Sequence, residues 1–275
     1  LPGMGKTTSI VNLCHQVVNQ GATPIVFAYH QDLEVGLAQH PRGVHGLDLE
    51  NGLGFNPMRV VSRTANGWLD TVGMLRDIFW SVYPDFGELQ ANEIREAIKK
   101  SFLECGYGSP PNPLEERALP KFSRFFEILK SSPKPNAGII NRLTELADYQ
   151  FFNSTDGDQS SLLDFTQPVV IRLYSTHNAV LQKMIASFEL LNLYQNMFVR
   201  GLQSKITHVV IFDEAHLAYR LKLIPTMAKE CRKYGLAFVV ASQEVRDFDP
   251  SLFPAVASYL ALRSHEADAR QLAHI

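Results

Sequence analysis

Apolar positions in this chain fall into two patterns. Short continuous runs occur at residues 24–28 (Pro-Ile-Val-Phe-Ala), 168–174 (with Val169, Val170, Ile171 and Leu173), 208–214 (His-Val-Val-Ile-Phe-Asp-Glu) and 237–241, and a last one at 259–262 leads into Arg263. Strands that are apolar throughout, rather than alternating, are covered on both faces, so these runs predict a parallel sheet sandwiched by helices. The second pattern has helical spacing. Ile10, Val11, Leu13, Cys14, Val17 and Val18 recur up to Gly21, and Val180, Leu181, Met184, Ile185, Phe188, Leu191, Tyr194 and Met197 recur up to Gly201. Residues 31–57 read as a loop-rich connection closed by the turn Phe55-Asn56-Pro57-Met58. From about 66 to 150 the spacing is helical only, with breaks at Asp85-Phe86-Gly87 and Gly106 and a loop marked by Pro110, Pro111, Pro113 and Pro120. That stretch is expected to be a large α-helical insertion into an α/β core spanning residues 1–275.

The first helix is preceded by Gly3-Met4-Gly5-Lys6-Thr7-Thr8. Gly5, Lys6 and Thr7 fill the last places of the phosphate-binding loop G-x-x-x-x-G-K-[ST]. In that loop backbone N–H groups wrap the phosphates, the lysine reaches the β and γ phosphates, and the threonine hydroxyl holds Mg²⁺. ATP and Mg²⁺ are therefore the expected ligands, with residues 3–8 as the binding loop. The motif's first glycine would precede Leu1, as would the strand that feeds such a loop, so the chain is expected to be truncated at its N-terminus and, similarly, at its C-terminus.

Bulk properties add bounds. The 275 residues are 45% hydrophobic and 20% charged, enough for one large domain, and the net charge of -2 supplies no global field toward nucleic acid. Cys14, Cys105 and Cys231 are odd in number and far apart, which argues for reduced thiols. No run of 18 apolar residues occurs, so a cytoplasmic protein without a membrane span is the default expectation.

A buried strand ending in Asp213-Glu214 completes the chemistry that the loop begins. Asp213 would hold Mg²⁺ through water, and Glu214 would polarise the attacking water. Gln243, polar at the end of the next strand, stands where a γ-phosphate sensor belongs. The nine histidines show no metal-ligand spacing.

These residues carry a resemblance. Gly3-Met4-Gly5-Lys6-Thr7, the Phe55-Asn56-Pro57-Met58 turn, the helical insertion, Phe212-Asp213-Glu214-Ala215-His216, and Cys231-Arg232-Lys233-Tyr234-Gly235 leading to Ala241-Ser242-Gln243 together resemble the HerA/FtsK branch of RecA-like motor ATPases, and HerA-type proteins most of all. The insertion accounts for a spacing of 213 − 6 = 207 residues between Lys6 and Asp213. Asp213-Glu214-Ala215-His216 also spells the DEAH-box signature, but the second domain and Ser-Ala-Thr motif of that class are missing from the sequence. The resemblance implies a RecA-like P-loop NTPase core and a homohexamer that translocates double-stranded DNA as a helicase-type motor, with a nuclease as a possible partner. It further implies an arginine finger at Arg232, for which a cation answering a helix dipole is the alternative; Arg263 is the second candidate. Arg220 and Lys222 are candidates for DNA contact. Two other functions share these motifs: an ATPase of the type IV secretion or conjugation group, and a non-translocating ATP-dependent scaffold for an effector nuclease.

Overall fold

The structure is a computed structural model that describes residues 5–48, 52–62, 64–109, 117–149, 151–152, 161–214, 223–248, 250–262 and 266–273. In chain order its elements are α1 (Lys6–Asn19), β1 (Thr23–Ala28), α2 (Asp32–Leu37), β2 (His45–Leu47), α3 (Gly67–Val82), α4 (Glu88–Glu104), α5 (Phe122–Lys130) and α6 (Ala137–Asp148). They continue with β3 (Val169–Arg172), α7 (Ala179–Arg200), β4 (His208–Phe212), α8 (Leu223–Glu230), β5 (Leu236–Val240) and α9 (Glu266–Leu272). Two compact units result, one built from Leu1–Asp48 and Ser161–Ile275 and the other from Leu49–Ser160.

The first unit is the α/β core. Its sheet has the order β2-β3-β1-β4-β5, and every pairing is parallel. Each residue of β1 and β4 is buried, as continuous apolar strands require. Alternation splits those strands between two faces. Val26, Ala28, Val209 and Ile211 pack with Ile10 and Cys14 of α1 and Leu33 and Leu37 of α2. Phe27 and Phe212 point the other way and stack with ring centroids 4.1 Å apart. On the long helix α7, Asn178 Oδ1 accepts from Val180 N at 2.9 Å and Leu181 N at 3.3 Å, and Gly201 ends it with a φ of 78°.

Two expectations need correction. Residues 31–57 are not all loop, since α2 and the edge strand β2 lie among them. Leu33 and Leu37 are the only buried residues of α2, one i,i+4 pair, too short a pattern to stand out. The run at 259–262 is not a strand, and Tyr259, Leu260 and Leu262 are exposed. The segment makes no ladder with β5, whose outer edge carries no strand among the described residues, and apolar composition without such pairing makes no strand.

The second unit is helical, with no strand among its described residues. Its helices pack in sequence, α3 on α4, α4 on α5 and α5 on α6. Trp68, Phe102 and Tyr107 form one aromatic cluster and Phe79, Phe122 and Phe125 another. The Phe55-Asn56-Pro57-Met58 segment is a turn closed by its own side chain. Asn56 Oδ1 accepts from Met58 N at 3.0 Å, and Asn56 Nδ2 donates to the Pro120 carbonyl at 3.1 Å. No helix among the described residues is long and apolar enough to cross a membrane.

Candidate active site

The site forms where α1 begins, at the C-terminal ends of the strands. Gly5, with φ 86° and ψ 11°, is the left-handed residue that turns the chain into α1, and its carbonyl accepts from Ser9 N at 2.8 Å. The first turn of α1 carries no acidic residue and its N-cap, Gly5, has no side chain to cap it, so its N–H groups suit an anion. Lys6 is the first helical residue, and half-buried Thr7 follows it. Gly3 and Met4 lie outside the described residues, and Thr8 is exposed.

Asp213 and Glu214 follow the last residue of β4. Period-two alternation from Val209 and Ile211 carries Asp213 onto the face occupied by α1, where its Oδ1 lies 2.8 Å from Lys6 Nζ. The next residue of a regular strand would point away. Instead Glu214 has a φ of 65°, and its Oε1 also accepts a hydrogen bond from Lys6 Nζ. Its amide donates to Asp213 Oδ1 at 3.1 Å. The side chains of Asp213 and Glu214 are 3% and 6% exposed, that of Lys6 22%. Burial pulls the Lys6 ammonium down, but the hydrogen bonds to Asp213 and Glu214 outweigh it and hold the pKa above the ordinary lysine value. The cluster thus comprises a cation at a helix N-terminus and two buried carboxylates, one more negative charge than positive.

Of the other expected site residues, Gln243 follows β5 at the same end of the sheet, with an exposed side chain. Asp247 fixes its loop, since Asp247 Oδ2 accepts from Ser242 Oγ at 2.5 Å and Glu244 N at 3.2 Å. Sequence reading missed this brace, whose only signal was an acidic residue shortly after the strand. Arg232 lies at the other end of the sheet. It belongs to the 3-10 turn Cys231–Tyr234 that precedes β5, it is exposed, and its carbonyl accepts from Gly235 N at 3.0 Å. Among the described residues it makes no ion pair. Arg263, Arg220, Lys222, Ala215 and His216 lie outside the described residues.

Thr7 and Asp213 offer a hydroxyl and a carboxylate, the hard oxygen donors that suit Mg²⁺, and a cation already lies against Asp213. Among the described residues no group of three or more His, Cys, Asp or Glu could hold a metal by itself. The donors therefore fit an ion that reaches the protein together with phosphate oxygens.

No family model and no curated protein matches this chain. Solved structures do. VirB4 of Thermoanaerobacter pseudethanolicus is 19% identical, and the match covers 100% of this chain and 78% of VirB4 with a TM-score of 0.70. The bacterial conjugative coupling protein TrwB, in an unbound form, is 13% identical over 90% of this chain and 62% of its own, with a TM-score of 0.52. The plasmid coupling protein TrwB in complex with the ATP analogue ADPNP gives 13% identity, coverage of 90% and 63%, and a TM-score of 0.51. The fold is the P-loop NTPase fold that these structures share, a parallel five-stranded sheet flanked by helices. At such identities the likeness speaks for the fold, and chemistry has to be argued from the site.

Proposed function

We propose that this chain binds ATP with Mg²⁺ and hydrolyses it as the motor domain of a HerA/FtsK-type assembly, with residues 66–150 inserted into its ATPase core. One observation carries the reading: Lys6, at the N-terminus of α1, meets Asp213 and Glu214 at the C-terminal end of β4. Phosphoryl transfer needs little covalent chemistry from a protein, and positioning and charge do most of the work. The backbone N–H groups of α1 and the Lys6 ammonium take the β and γ phosphates. Thr7 and Asp213 would hold Mg²⁺, whose charge neutralises phosphate oxygens. Glu214 accepts a hydrogen bond from the attacking water and orients it, and Gln243 reaches the γ-phosphate from the next strand. Arg232 faces away from its own site and serves that of a neighbouring subunit, in a ring that we take to be a hexamer.

TrwB, a conjugative coupling protein that binds an ATP analogue, and VirB4 share this fold across nearly the whole chain. The secretion or conjugation group is therefore the second reading, beside a HerA-type helicase acting in repair or defence. Lys6→Ala is expected to weaken ATP binding and abolish turnover, whereas Glu214→Gln retains binding and lowers turnover at least a hundredfold, the scale on which a positioned acid or base contributes. Binding and phosphate release are measured separately, and a Glu214→Gln protein that turns over at the parental rate would remove Glu214 from the mechanism. Adding duplex DNA at low salt then chooses between functions, because stimulated hydrolysis marks a DNA motor and unchanged hydrolysis a motor or scaffold with a protein substrate.

A further inference from the structure

The three charged groups of the site already contact one another. Lys6 Nζ lies 2.8 Å from Asp213 Oδ1 and donates to Glu214 Oε1 as well. Asp213 reaches Lys6 by ordinary strand alternation, but Glu214 does so only because its backbone leaves the strand conformation. Its φ of 65° is the only positive value among the described non-glycine residues. Glutamate is uncommon in that left-handed region, and such a conformation persists only where the surroundings over-determine it. The contacts around it include the Glu214 amide on Asp213 Oδ1 at 3.1 Å and the Glu214 carboxylate on Lys6.

We propose that this arrangement is a latch, in which Glu214 holds back the phosphate-binding lysine and thereby lowers the affinity for nucleotide. The inference rests on the nucleotide reading above and deepens it by giving Glu214 a second role, in binding as well as turnover. A phosphate arriving at α1 must draw Lys6 away from two buried carboxylates, and a buried carboxylate deprived of its cation is strongly disfavoured. Part of the attraction between lysine and phosphate is therefore spent on breaking contacts that already exist. Removing the Glu214 charge leaves Lys6 with Asp213 alone and so loosens that hold in advance. A substitution expected to impair turnover should thus improve binding.

The test is equilibrium binding, with EDTA present so that neither hydrolysis nor metal contributes. A non-hydrolysable ATP analogue is titrated calorimetrically into the full chain and its variants. Glu214→Gln keeps the side-chain shape, and it is expected to bind about tenfold tighter than the parent, the scale of one hydrogen bond to a charged group. In a Lys6→Met background the same change leaves affinity where it was, since no lysine remains to be released. Equal tightening in both backgrounds would mean plain repulsion between Glu214 and phosphate, and the latch would fall. It falls alone if the parent binds the analogue and Glu214→Gln binds no tighter. A parent that binds no analogue overturns the nucleotide reading and the latch together. Thermal melting of the nucleotide-free chain gives a second readout. Lys6→Met, which strands two buried carboxylates, lowers the melting temperature, and adding Glu214→Gln restores part of the loss; without that rescue the contact is not what holds the site.

Discussion

Gly46 illustrates how one residue can secure an edge of the sheet. A Cβ at this position would lie 2.3 Å from the Cζ and Nη2 atoms of Arg172. That guanidinium cannot swing away freely, because its Nε donates to Glu34 Oε2 at 2.8 Å, its Nη2 to Glu34 Oε1 at 2.5 Å and its Nη1 to Asp48 Oδ2 at 2.6 Å. The Tyr174 hydroxyl also donates to Glu34. Arg172 in turn holds the Glu34 carboxyl below its ordinary range, against the upward pull of burial. Gly46→Ala should therefore cost about 1–3 kcal/mol of unfolding free energy, the range for overpacking a close contact. In an Arg172→Met background most of that cost should vanish, and urea denaturation of the four proteins reads the difference. At this scale the sequence was only partly legible. Lys6, Asp213 and Glu214 could be assigned by residue type and spacing, and the structure brings all three together. The backbone turn at Glu214 could not be read, because glutamate has no preference for a positive φ and tertiary contacts impose the conformation.

Among the elements, α7 departs furthest from the usual amphipathic design. From Leu181 to Met197 nearly every residue is buried, and the buried set includes Glu189, Asn192 and Gln195. Burial pushes the Glu189 carboxyl up to about 8, partly opposed by a hydrogen bond from Asn192 Nδ2 at 3.2 Å. A carboxyl with a raised folded-state pKa holds its proton in the native state over a range where the unfolded chain has lost it. The chain should then lose stability as pH rises from the ordinary glutamate range to about 8 and level off beyond. Glu189→Gln should flatten that decline, which melting temperatures taken between pH 5 and 9 would show. Legibility of the elements followed the same division between local and tertiary causes. Runs such as 24–28 and 208–212 were readable because burial on both faces leaves a compositional trace. The equally apolar 259–262 misled, since pairing depends on a neighbouring strand that local sequence does not encode. α2 was missed because one leucine pair is too little pattern to rise above a loop.

For the molecule as a whole, the spatial separation of Arg232 from Lys6 matters most. β5 puts five residues between the turn that carries Arg232 and the loop that carries Gln243, roughly 16 Å of strand. Arg232 therefore stands at the far end of the sheet from its own subunit's site. If it stabilises the phosphoryl-transfer charge, it does so in trans, where such an arginine is worth on the order of 10³ to 10⁵ in rate. Specific activity should rise with protein concentration as subunits associate. Arg232→Ala and Lys6→Ala proteins should each be inactive alone and partly active when co-assembled, as steady-state phosphate release would show. A mixture that stays inactive despite confirmed co-assembly would mean either that Arg232 is a helix-end cation or that hydrolysis requires every site in the ring to be intact, and repeating it with Arg263→Ala would show which arginine to suspect. Donor and acceptor at opposite ends of one subunit also restrict the symmetry available to the assembly. A two-fold pair, in which residue i meets j and j meets i, could place Arg232 of each on the site of the other only through an antiparallel interface long enough to span both ends of the sheet. In the ring proposed above the contact runs head to tail instead, closing by pure rotation. Such an array is polar: its two rims present different chemistry, so a substrate threading it meets an entrance that is unlike the exit.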